Sequence, residues 1–216
     1  MTIKPQESFN FYSHLAGVVA AAIGIGFLVH AARYSAQALA TAWIYGLCIL
    51  FLFAASTFYH AFKQEENEVS FWRQMDHFAI FCMIAGTYTP ICTLYLEGAW
   101  RWSIIGIQWG LVGFGLLLQI FFPRAPRVFG TVLYVVMGWI AIVPLRQILA
   151  AMTTTQAVLM FAGGGAYTLG ALFYASRRPR LVPGVFSFHE LFHIMVLLGG
   201  GLHYAMIYAA YFQRAA

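Results

Sequence analysis

The sequence predicts an all-α integral membrane protein of seven transmembrane helices, and three observations lead there. Hydrophobic residues make up 62% of the 216 and charged residues only 9%, against about 45–50% and about 25% in an ordinary soluble domain. Too few charges remain to coat a water-facing surface, and the mean hydropathy is +0.75. The apolar residues also fall in long unbroken runs, not in alternation, which is the pattern of membrane helices and not of barrel strands. That balance excludes a cytosolic globular enzyme, a disordered chain and a disulfide-stapled secreted fold. Cys48, Cys82 and Cys92 lie inside apolar stretches and form no CxxC pair, so they read as buried thiols.

A bilayer-crossing helix needs roughly 20 mostly apolar residues. Seven such stretches occur, at about 15–33, 38–62, 76–96, 102–122, 128–148, 156–176 and 187–211, in one domain covering 1–216. The first follows a polar lead with Lys4, Glu7 and Asn10; that lead and the length of the run argue against a cleaved signal peptide, although Ala36-Gln37-Ala38 has the small residues of a cleavage site. Polar residues at 33–37 separate it from the second stretch, which is bounded in turn by 63–74. The third opens at Asp76, has Pro90 near its end, where a kink is expected, and stops at 97–101, and the fourth stops at the Pro-containing break 123–127. The fifth has Pro144 near its end, where a kink is expected, and the sixth ends at the basic segment 177–183. Gly106, Gly110 and the triple-glycine runs 163–165 and 199–201 are small-residue sites suited to close helix contact. No internal repeat supports an inverted-repeat transporter.

The net charge of +5 does not point to nucleic acid, because the basic residues are scattered between apolar runs and form no stripe. Their distribution sets orientation instead. Lys4, Lys63, Arg73, Arg124, Arg127, Arg177, Arg178 and Arg180 fall on one side, and Arg33, Arg101, Arg146 and Arg214 on the other. The N-terminus is therefore expected in the cytoplasm and the C-terminus outside, with a bacterial inner (plasma) membrane as the location.

Ionisable groups inside membrane spans are costly and mark function. Here they concentrate: Ser56 and His60 end the second span, Asp76 and His77 begin the third, and His189, Glu190 and His193 begin the seventh. Alternating span direction puts all of them at one depth, on the cytoplasmic side. His189 and His193 are four apart and so project from one helix face, and two such imidazoles can share one Zn²⁺. His60 from a facing helix completes a three-histidine set, the number that catalytic zinc sites use while leaving a position for water. Asp76 is placed to accept a proton from that water or to bind the metal, and Ser56, one turn from His60, to hydrogen-bond the water or a substrate oxygen. A buried hydrogen-bond network that rigidifies the bundle is the alternative. His14 reads as structural and His77 as interfacial. His30 lies near the far end. His203 is 14 residues beyond His189, about 21 Å along the helix, and too far to share the metal.

His189-Glu190-Leu191-Phe192-His193 also matches HExxH, in which Glu is the general base of a zinc protease. Ser187 stands three residues before Glu190, however, as in a capping box. Glu190 then bonds back to the backbone at the helix start.

Three motifs in order resemble the progestin and adipoQ receptor family, in its bacterial haemolysin III branch: Glu7-x-x-Asn10-x-x-x-His14, then Ser56-x-x-x-His60 followed by Arg73-x-x-Asp76, then His189-x-x-x-His193. The resemblance covers nearly the whole chain. It implies zinc held by His60, His189 and His193, with Asp76 acting through a water, Ser56 nearby, and Glu7, Asn10, His14, Arg73 and Glu190 in support. It also implies hydrolysis of ceramide-like lipids, as in adiponectin receptors and alkaline ceramidases. The long N-terminal segment of the animal receptors has no counterpart here, and the outer loops are too short for a hormone-binding domain.

Three functions follow as expectations. The first is a zinc-dependent hydrolase of an amide or ester bond in a membrane lipid. The second is a non-enzymatic regulator or sensor of membrane state, or a cytolysin, with a structural zinc. The third is an HExxH intramembrane metalloprotease. The outer halves of the spans are nearly free of ionisable residues, which argues against an ion pore. A membrane lipid is the expected partner, and a homo-oligomer stays open.

Overall fold

The computed structural model describes residues 3–65, 68–182 and 186–215. Pro183, at the end of the last predicted break, and Glu66 and Asn67 in the break at 63–74 lie outside the described residues. A short 3-10 turn, Pro5–Glu7, leads into eight α-helices: α1 Ser8–Ala32, α2 Ala36–Phe62, α3 Phe71–Tyr95, α4 Gly98–Phe121, α5 Arg127–Trp139, α6 Leu145–Ala151, α7 Thr154–Ser176 and α8 Phe188–Ala215. One isolated bridge pairs Val182 with Phe186, and the described residues form no strand longer than that.

Six of these helices are long and apolar enough to cross a membrane. The fifth predicted span is broken: Val128–Ile142 and Leu145–Ala151 meet at a bend of 60°, and as one span they bring the total to seven. The kink expected at Pro144 is thus a full interruption, with Pro144 capping α6, whereas α3 runs on through Pro90 as one helix. Proline lacks an N–H to continue the ladder and clashes with the preceding turn. The groups freed there are taken up by neighbours. Tyr88 Oη donates to Gly138 O at 2.7 Å and accepts from Ala141 N at 2.7 Å, and buried Gln108 donates to Met137 O at 2.9 Å. Such side-chain partners are what let a helix break inside a bilayer.

Two other spans start earlier than hydropathy indicates. The first helix begins at Ser8, not near 15, and the third at Phe71, not at 76. In both, polar residues interrupt the apolar run and yet belong to the helix. Side-chain caps define several starts. Ser35 accepts from Ala38 N at 3.1 Å, Ser70 from Arg73 N at 3.3 Å, and Thr153 and Gln156 form a reciprocal capping box. At the other end of α3, Arg101 Nε donates to Leu96 O at 2.8 Å and Arg214 Nη2 donates to Leu94 O; two cations thus meet carbonyls at a helix C-terminus.

The third helix is the central one. Within its apolar window 78% of residues are buried, against 22% for α4 and for α7, and it packs on α2, α4, α5 and α8. Around it, α1 packs on α2 and α8, and α7 on α8. The triple-glycine runs make close contact at some positions only. A Cβ on Gly163 would lie 2.4 Å from the His203 ring, and one on Gly199 would lie 2.8 Å from the Tyr167 ring. Gly106 and Gly110, expected at a helix contact, face open space, as do Gly164, Gly165 and Gly201. The three cysteines are free and buried, as expected.

Candidate metal centre

Four helix ends converge at one end of the bundle, and each delivers part of the polar set. The last turns of α2 carry Ser56 and His60, both 2% exposed. The first turns of α8 carry His189, Glu190 and His193, and those of α3 carry Arg73 and Asp76. The start of α1 and its preceding turn carry Glu7, Asn10 and His14, all buried. The three motifs, far apart in sequence, thus form one cluster.

His60, His189 and His193 come together as the spacing predicts, with one candidate ligand atom from each within 4.8 Å of the others. Ring centroids are 4.8 Å apart for His60 and His193, 4.9 Å for His189 and His193, and 5.2 Å for His60 and His189. Two nitrogens bound to one Zn²⁺ at about 2.1 Å each can be no more than about 4.2 Å apart, so small side-chain rotations close the set. His60 shows that the residues fit a cation. Its Nδ1 lies 2.6 Å from Glu7 Oε2 and donates to that carboxylate. Its Nε2 is buried and has no hydrogen-bond partner among the described residues. A buried acceptor left in that state is costly, and a cation on Nε2 would satisfy it.

Asp76 stands beside this set and is not one of the three. It lies within electrostatic reach of His60, Ser56 and Arg73. Glu190 does what its place at a helix start predicts: Oε2 accepts from Ser187 N at 2.7 Å and Oε1 from Asn10 Nδ2 at 3.0 Å. Glu7 bridges His60 and Lys63, whose Nζ donates to Oε1 at 2.6 Å. Sequence spacing could not have paired Glu7 with His60, 53 residues away. His14, read as structural, is outside the ligand set, but its ring lies on that of His193 with centroids 3.9 Å apart and planes 33° apart. His77 is half-buried, and its carbonyl accepts from Tyr134 Oη at 3.1 Å. His30 pairs with Arg33 at 3.1 Å, and His203 Nε2 pairs with Met160 O at 3.1 Å, both apart from the cluster.

A cavity of about 750 Å³ adjoins the cluster. Ser56, Asp76, His189 and His193 are in its lining, which is mostly apolar and includes Ile84 and Val196. A few polar groups in a mostly apolar cavity suit a ligand that is itself mostly apolar.

An all-helical bundle with these spans and a polar cluster at one end defines a heptahelical membrane protein. The chain belongs to the haemolysin-III-related family, whose model matches residues 2–204. It is 31% identical to Hemolysin-3 of Bacillus cereus, over 91% of this chain and 88% of that one. It is 32% identical to the Hemolysin-3 homolog of Bacillus subtilis, over 92% and 90%. A more distant relative is the human monocyte to macrophage differentiation factor, 25% identical over 94% of this chain and 83% of its own. The family expected from the three motifs is therefore the family found.

Proposed function

We propose that the chain is a zinc-dependent hydrolase, embedded in the membrane, of an amide or ester bond in a ceramide-like lipid. The observation that carries this reading is the convergence of three imidazoles, one with a buried unpartnered Nε2, of which His189 and His193 line a mostly apolar cavity. His60, His189 and His193 would hold the ion. When bound, Zn²⁺ supplies a Lewis acid and a water whose pKa falls to about 7.

Asp76 accepts the proton of the water whose oxygen attacks the lipid carbonyl carbon. It then returns that proton to the leaving nitrogen or oxygen as the carbon–heteroatom bond breaks. Ser56, which lines the same cavity as Asp76, would orient the Asp76 carboxylate and share in binding the tetrahedral oxyanion. A converging set of three ligands leaves a fourth position, as catalytic sites do, whereas the closed structural site of a regulator needs four. Eight basic residues against four support an N-terminus in the cytoplasm, which puts the centre near the cytoplasmic face of a plasma membrane.

The test is release of free fatty acid from a panel of ceramides and phospholipids by the zinc-loaded chain in nanodiscs. Turnover is expected on an amide- or ester-linked lipid, falling at least about 100-fold in Asp76→Asn and lost in His60→Ala. No turnover by zinc-loaded wild type, or undiminished turnover in Asp76→Asn, refutes the proposal.

A further inference from the structure

Glu7, Asn10 and His14 are spaced three and four apart, so they share one face at the start of α1. None of them is in the ligand set, yet Glu7 and His14 each meet a member of it, and Asn10 meets Glu190 on the helix that carries the other ligand. Glu7 Oε2 accepts the hydrogen bond from His60 Nδ1–H. The Asn10 amide holds Glu190, which in turn holds the backbone at the start of α8. The His14 ring lies on the His193 ring and is braced edge-on by Phe53, with centroids 5.2 Å apart. The segment is also clamped from outside: Lys4 Nζ donates to Gln64 O, and Lys63 Nζ donates to Glu7.

We propose that this face of α1 is a positioning strap for the metal centre: Glu7 selects the nitrogen that His60 presents, and His14 fixes the plane of the His193 ring. The inference rests on the metal-binding reading above. An imidazole whose Nδ1–H is donated to a carboxylate is held in the tautomer with its Nε2 lone pair free. The same bond strengthens that nitrogen as a donor and stops the ring from turning. A flat neighbour at 3.9 Å does the corresponding work for His193, because a ring turned out of plane would collide with it. Asn10 and Glu190 fix the third coordinate, the place where α8 begins. The strap joins α1, which bears no ligand, to α2 and α8, which bear all three.

The probe is Co²⁺ bound to the full chain in detergent, read by its ligand-field absorption and by chelator competition. Glu7→Ala is expected to weaken Co²⁺ binding about 10- to 100-fold and to shift the absorption bands. Glu7→Gln, whose amide oxygen still accepts from Nδ1–H, is expected to stay within about tenfold of wild type. His14→Ala is expected to weaken binding and His14→Phe, which keeps a flat ring, to restore it. If Glu7→Ala does not fold, the His14 pair carries the comparison. Folded Glu7→Ala and His14→Ala proteins with wild-type affinity and spectrum overturn the strap. So does a Glu7→Gln protein as weak as Glu7→Ala. A wild type that binds no Co²⁺ instead overturns the metal centre itself.

Discussion

Replacing Glu190 by alanine separates two roles that its position allows. Glu190 is 7% exposed and Asn10 is 1% exposed, so the bond between them is shielded from water. Glu190→Ala removes the acceptor for Asn10 Nδ2 and for Ser187 N. Each buried donor left without a partner costs about 1–3 kcal/mol, and Ser187, only half-buried, belongs at the low end. The sum is about 2–4 kcal/mol. Glu190→Gln keeps one accepting oxygen and presents a donor where the other stood, so it is expected to cost about half as much. At about 2–4 °C per kcal/mol for a chain of this size, Glu190→Ala should lower the melting temperature in detergent by about 4–16 °C. In the Asn10→Ala background the loss should shrink by about 1–2 kcal/mol, since the orphaned amide is gone. A Glu190→Ala protein that melts within about 1 °C of wild type refutes the reasoning. Metal content and lipid turnover should survive in Glu190→Gln; a folded, metal-replete Glu190→Gln protein with no activity would instead make Glu190 the general base.

Two further perturbations test the packing around the site. Gly163→Ala drives a Cβ to 2.4 Å from a His203 ring that Met160 O holds in place, while Gly164 faces open space. Both changes gain the same helix propensity, so Gly163→Ala should be less stable than Gly164→Ala by about 1–3 kcal/mol of overpacking, read as a difference in melting temperature. Tyr88→Phe removes the one hydroxyl that serves both Gly138 O and Ala141 N at the break after α5. It should cost about 2 kcal/mol and increase proteolysis or amide exchange near Gly138, whereas a silent Tyr88→Phe would mean that the break is satisfied in another way.

The spans were legible because a bilayer demands length and apolarity, and six of the seven stretches became single helices. The starts of α1 and α3 were not. Hydropathy treats Glu7 and Asn10 as a polar lead, although both are buried and Asn10 lies within α1. The histidine set was legible from a four-residue spacing and from span parity, both of which are local or topological facts. The bond between Glu7 and His60 was not, because no periodicity links residues on different helices. Nor could the sequence place His14 on His193, since a buried histidine at a span start reads the same with or without that neighbour. Glu190 was legible for the opposite reason: its partner at Ser187 is three residues away, and a helix start prescribes the bond. Gly106 and Gly110 show the limit of small-residue spacing, since it marks where a helix could approach and not whether one does.

The central claim is that ligands from α2 and α8 meet at one ion. Its most direct test is the zinc content of the purified chain, compared with His60→Ala, His193→Ala and, as a distant control, His203→Ala, all at matched folding. The account predicts about one zinc per chain in the wild type and in His203→Ala, and none in His60→Ala or His193→Ala. A wild type without metal after zinc addition, or a His60→Ala protein that keeps its zinc, would contradict it.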